Sequence, residues 1–95
     1  MLNENLIKDY QIFFYLRNTY PEHRKLISEI MRYVFENDDS FKSEYVYLNG
    51  TFYENDVKLI FEELNLPLTI SKVFFMTIRN IPYTIIELIS NEEKP

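Results

Sequence analysis

Cysteine is absent from the chain, which excludes a disulfide framework, a thiolate nucleophile and a zinc–thiolate site. Tryptophan is absent too, while histidine and glycine occur once each, at His23 and Gly50. One glycine is too few for a glycine-rich phosphate loop. No apolar run approaches the ~18–20 residues needed to span a bilayer. Met1 to Asn5 carry neither the basic region nor the apolar stretch of a signal peptide. No membrane partner and a cytoplasmic location are therefore expected. Internal repeats, low-complexity tracts and Gly/Ser linkers are missing as well.

What remains is a chain of 95 residues, 46% hydrophobic and 26% charged. Those values fit one folded domain over 1–95, with 91–95 as a solvated tail. Fifteen acidic residues against ten basic give a net charge of −5. Residues 1–43 hold seven acidic and six basic groups and residues 44–95 hold eight and four, so the excess lies in the second half. A chain of this sign repels phosphate backbones, and direct nucleic-acid binding is not expected. Eight Tyr and eight Phe raise the aromatic share to 17%. The abundance of Ile, Asn, Lys and Glu fits an A/T-rich coding sequence, which weakens isoleucine as evidence for strands.

Leu6, Ile7, Tyr10, Phe13, Phe14 and Arg17 keep helical spacing and predict a helix over 4–18. Ile12 and Leu16 add a second apolar stripe on its flank, which predicts burial on two faces or contact with a partner. Pro21 suits the first position of a second helix running to Asn37. There Leu26, Ile27, Ile30, Met31 and Val34 make one stripe, and Lys25/Glu29 and Arg32/Glu36 pair on the other side. The two helices form an αα-hairpin.

"EYVYLNGTFYENDV" admits two readings: a β-hairpin turning at Asn49-Gly50, or a strand followed by a capped helix. Thr51 and Glu54 match a capping box. Tyr53, Val57, Ile60, Phe61 and Leu64 then form a helical stripe, with Lys58 pairing Glu62 behind it. The second reading satisfies more groups, giving a strand at 44–48 and a helix over 52–64. In the rest, alternation and β-branched residues favour strands at about 71–79 and 83–90 around Asn80-Ile81-Pro82. The fold expected is α+β: αα-hairpin, strand, helix and C-terminal β-hairpin in a small antiparallel sheet. An all-α bundle of about five helices is the alternative, because Thr69 or Ser71 can cap a helix and Pro82 can start one.

No residue set for chemistry stands out. His23 has no acid, serine or second histidine at a helical spacing, and it reads as a surface residue. Glu36, Asp38 and Asp39 lack the turn glycine and closing glutamate of a calcium loop. Glu62 and Glu63 do not have the inward geometry of paired catalytic carboxylates. Asn49-Gly50-Thr51 matches a glycosylation acceptor, which has no consequence without secretion. Neither catalysis nor a metal or other cofactor is expected. "FEELNLPLTISKVFFMTIRN" has the length of a helix-turn-helix, but its second half offers Phe74, Phe75 and Met76 and only Lys72 and Arg79 as cations.

Tyr15, Tyr33, Tyr45 and Tyr47 fall off the main stripes and suit interface anchors. With Ile12, Leu16, Glu62 and Glu63 they make up the expected partner-binding set. The role that follows is a small acidic interaction module or inhibitor. Its partner would be a protein with a basic surface, such as a nucleic-acid-handling enzyme masked by a phage or mobile-element product. A helix-turn-helix DNA-binding regulator is one alternative. A self-associating accessory subunit, with a homodimer through Ile12 and Leu16, is another.

Overall fold

The computed structural model describes residues 4–37 and 41–91, with side-chain surroundings from Tyr10 onward. Helix α1 (Glu4–Thr19) is followed by one 3-10 turn (Pro21–His23), helix α2 (Arg24–Asn37) and strand β1 (Glu44–Asn49). Helix α3 (Glu54–Leu64) and strands β2 (Leu68–Ile78) and β3 (Ile81–Ser90) complete an α+β fold. The sheet is antiparallel with order β1-β3-β2, so the strand latest in sequence is central. The all-α arrangement does not occur: residues 68–78, which a helix-turn-helix needs as its recognition helix, are strand. Asp38 and Asp39 of the acidic cluster, and residues 92–95 of the expected tail, lie outside the described residues.

Period-two alternation divides the sheet into two faces. Val46, Leu48, Ile86 and Leu88 point into one core with Leu26, Ile27 and Ile30 of α2 and Val57, Ile60 and Phe61 of α3. α1 packs antiparallel to α2, with Phe13 against Phe35 at 5.6 Å between ring centres. Its buried face is set by Phe13 and Leu16, and Ile12 packs half-buried beside them. Leu16 is wholly buried, whereas Tyr10, Phe14 and Tyr15 are exposed. The expected assignment of α1's faces is thus reversed in part. Phe13 of the first stripe joins Ile12 and Leu16 of the second, and the face bearing these compact aliphatic chains fills the space against α2. The larger rings Tyr10 and Phe14 stay outside; Leu6 and Ile7 lie before the described side chains.

The junction after β1 also departs from expectation. Thr51 caps nothing: α3 begins at Glu54, with an extended Tyr53 in the cap position and no side-chain cap bond. The buried hydroxyl of Thr84 makes the turn instead. It donates to the Gly50 carbonyl at 2.8 Å and accepts the Phe52 N–H at 3.0 Å. Pro82 accepts from the Gly50 N–H at 2.9 Å but has no N–H to return, so Thr84 supplies the missing donor. Gly50 sits at φ +121°, where a Cβ would stand 3.1 Å from the Phe52 ring. Thr51→Ala should therefore shift unfolding free energy by no more than about 0.5 kcal/mol, measured by urea titration. A loss near the ~1 kcal/mol typical of an N-cap would restore the capping box.

The β2–β3 turn is Arg79-Asn80, one residue earlier than the sequence suggests. Both have positive φ, 53° and 65°, as a two-residue turn matched to strand twist requires. Asn adopts that region readily; Arg79 does so at a cost. A bulge between Ile70 and Lys72 shifts the β2 register. From Phe75 to Pro82 every residue is exposed, so the hairpin end extends past the helices. Two ion pairs also differ from the expected pattern: Arg32 meets Glu29 at 2.7 Å, and Lys58 meets Glu54 at 3.4 Å. No helix among the described residues is long and apolar enough to cross a membrane.

Candidate protein-binding site

The face of the sheet turned away from the helices carries Tyr45 and Tyr47 from β1, Lys72, Phe74 and Met76 from β2, and Tyr83, Ile85 and Glu87 from β3. This assignment follows from the register, in which Tyr45 pairs Glu87, Tyr47 pairs Ile85 and Asn49 pairs Tyr83. Across β3, Glu87 meets Lys72, Ile85 meets Phe74 and Tyr83 meets Met76. Tyr45 and Tyr47 are about half exposed, at 55% and 49%. Ile85 is only 1% exposed although it stands apart from the helix-side core. The rings around it provide that cover: Tyr45 lies edge-on to Phe74 at 6.3 Å, and Tyr47 edge-on to Tyr83 at 6.2 Å.

The Tyr45 hydroxyl donates to Glu87 Oε2 at 2.6 Å, fixing that ring on the surface. The same bond, with help from Ser71 and Lys72, holds the Glu87 carboxyl below its usual range. Its stabilising effect is present above the ordinary carboxylate pKa and is lost as acid protonates Glu87 through the lowered value. Tyr45 is raised in turn, chiefly by its bond to Glu87.

Beside this face, between α2 and the outer edge of β1, lies a groove of about 200 Å³. Arg32, Tyr33 and Glu36 line it from the helix, and Glu44, Tyr45 and Tyr47 from the strand. Tyr33 is only 6% exposed. Its hydroxyl and Glu44 Oε2 are buried side-chain atoms with no hydrogen-bond partner among the described residues. Burial pushes the Tyr33 phenol far up, and the charge of Glu44 raises it further. Buried polar groups are normally satisfied, so two orphans in one groove stand out. A larger hollow of about 390 Å³ beside Lys58, Phe61, Glu62 and Leu68 holds no such orphan among the described residues.

The eight residues expected to bind a partner are thereby dispersed. Tyr33, Tyr45 and Tyr47 converge on the groove, Tyr33 as a buried wall and not as an exposed anchor. Tyr15 is exposed on α1. Leu16 is core and Ile12 packs against it, so the dimer argued from them has no free stripe to use. Glu62 is exposed at the end of α3, and Glu63 accepts the Tyr20 hydroxyl at 3.2 Å, both away from the groove. Phe74, Met76, Tyr83 and Glu44 were not anticipated. The period-two geometry of strands over 72–76 and 83–87 puts Phe74, Met76 and Tyr83 on one face once the hairpin is accepted, whereas Glu44 lies on the other face of β1. His23 lies 3.6 Å from Asp56 Oδ1 of α3, a neighbour that spacing along one helix does not reveal. No cluster of three metal-ligating side chains occurs among the described residues.

Comparison with family models, with curated proteins and with solved structures gave no match.

Proposed function

We propose that this chain is a non-enzymatic protein-binding module that covers a basic surface on its partner. The observation that supports this most is the uncovered aromatic face: four rings and Met76 on a sheet whose other side already buries the core. Tyr and Phe supply large contact area at small entropic cost, and such residues dominate interface energetics. Glu36 and Glu44 beside that face, within a chain of net charge −5, favour a cationic partner and speed its encounter. Enzymes that hold phosphate backbones present such basic surfaces, so masking one of them is the specific role proposed.

Aromatic platforms also stack single-stranded bases. Here Lys72 faces its cross-strand partner Glu87, and the positive groove that tracks a nucleic-acid backbone is not formed by these residues. Protein is the better occupant.

The test is affinity capture from the cell that makes the chain, with and without nuclease, using the natural sequence and Tyr45→Ala/Tyr47→Ala. One partner with a basic surface should survive nuclease and be lost with the double variant. Binding should weaken by at least about 2 kcal/mol if either ring is a hot spot. Capture abolished by nuclease would favour a nucleic-acid-bound role, and capture indifferent to both tyrosines would end the present reading.

A further inference from the structure

β1 is an edge strand, and antiparallel pairing turns alternate backbone groups away from the sheet. The Gly50 N–H bond to Pro82 assigns even-numbered residues of β1 to β3. Tyr45, Tyr47 and Asn49 therefore face outward. The Asn49 N–H is already taken by Glu29 Oε1 at 2.8 Å. The outward N–H and C=O groups of Tyr45 and Tyr47 have no partner among the described residues. An unpaired edge of this kind is a template for another strand.

We propose that the groove between α2 and β1 binds an extended segment of a partner protein as a further strand on β1, with one lysine or arginine of that segment reaching the Glu44 carboxylate and the Tyr33 hydroxyl. This rests on the protein-binding role proposed above and adds the chemistry of the partner segment. Charge favours the occupant. Arg32 is paired with Glu29, which leaves Glu36 and Glu44 as the anions lining the groove among the described residues. A buried carboxylate oxygen without a donor is matched best by a charged N–H group, and the Tyr33 hydroxyl adds an acceptor or a donor beside it. Space suffices: about 200 Å³ is several times the ~30 Å³ share of a water molecule, room for one long side chain.

The geometry also gives a pattern. Glu44, Val46 and Leu48 point to the helix side, whereas Tyr45 and Tyr47 point to the open face. On an added strand, a residue opposite Val46 lies on the helix side, where a long side chain reaches diagonally to Glu44 and Tyr33, and its two neighbours stand beside Tyr45 and Tyr47. The segment therefore reads apolar–basic–apolar. It stops before Asn49, whose N–H Glu29 has already engaged.

The probe is an array of acetylated, amidated pentapeptides with lysine at the centre and Val, Ile, Tyr or Phe on either side. Parallel sets carry arginine, norleucine or glutamate at the centre. Binding is read from amide-exchange protection of Tyr45 and Tyr47 in the isotope-labelled protein. Lysine and arginine peptides should protect both amides, norleucine peptides should bind about tenfold more weakly, and glutamate peptides should not bind. Glu44→Gln and Tyr33→Phe should each weaken lysine peptides by about tenfold, while the thermal midpoint holds or rises because the group removed had no partner.

Equal binding of norleucine and lysine peptides would overturn the proposal, as would protection by none of the array. A midpoint that falls in both variants would mean that the pair serves the fold, and would overturn it as well. A captured partner that depends on Tyr45 and Tyr47, with no peptide binding, would sink strand addition alone. Indifference of that partner to both tyrosines would sink the protein-binding role itself.

Discussion

Leu16→Ala should lower the unfolding free energy by about 2–5 kcal/mol, the range for truncating a fully buried leucine. Its side chain is 0% exposed and packs with Phe13, Leu26 and Ile27 in the shared core. Removing three carbons there loses transfer free energy and leaves a void that α1 and α2 only partly close. A lone helix of this length is marginal in water, so α1 depends on that packing. Tyr15→Ala, one residue away but exposed, should shift stability by no more than about 0.5 kcal/mol. Urea unfolding of both variants gives the comparison. A stable Leu16→Ala with altered self-association would return Leu16 to a surface and revive the dimer.

Thr84→Val should cost about 2–4 kcal/mol, although the shape is nearly conserved. The hydroxyl is the one group that both donates to Gly50 and accepts from Phe52. Valine leaves a carbonyl and an amide without partners in a part-buried junction, each worth ~1–3 kcal/mol. Thr84→Ser keeps the oxygen and should retain most of the stability. Amide exchange at Phe52 should quicken in the valine variant and stay slow in the serine variant. Wild-type stability in Thr84→Val would mean that water replaces the hydroxyl, and that the junction is held by Gly50 and the ladder alone.

The legible and illegible parts of this chain divide along the range of the interactions. The α2 stripe is a local, one-faced pattern: Leu26, Ile27, Ile30 and Val34 are buried and Met31 is half-buried, although Tyr33, off that stripe, is buried as well. The αα-hairpin, the strand before Gly50 and the C-terminal hairpin follow from similar local signals. Thr84 lies thirty-four residues from Gly50, and no local signal marks the pair; the capping box at Thr51 was the nearer candidate, and the nearer candidate was idle. On α1 the two stripes adjoin at Phe13, so periodicity alone cannot choose between them; packing against Phe35 and the α2 core does. For the candidate site, the four tyrosines stood out by type, but only three-dimensional register joins Tyr45 and Tyr47 to Phe74 and Tyr83. Burial of Tyr33 and Glu44 in one groove depends on α2 lying beside β1, which no spacing in either segment encodes.

The order β1-β3-β2 has a consequence for synthesis. Neither outer strand is a neighbour of the other, so no part of the sheet forms until residues 81–90 have been translated. Until that strand is in place, the uncharged stretch Val73–Ile78 has both backbone edges open. Segments of that composition pair readily with copies of themselves, and slow long-range pairing prolongs the exposure. Lys72, immediately before that stretch, is the charge that flanks it during that interval. The yield of folded chain is then a race between docking of the central strand and encounters among unfolded chains, and it should fall as their concentration rises.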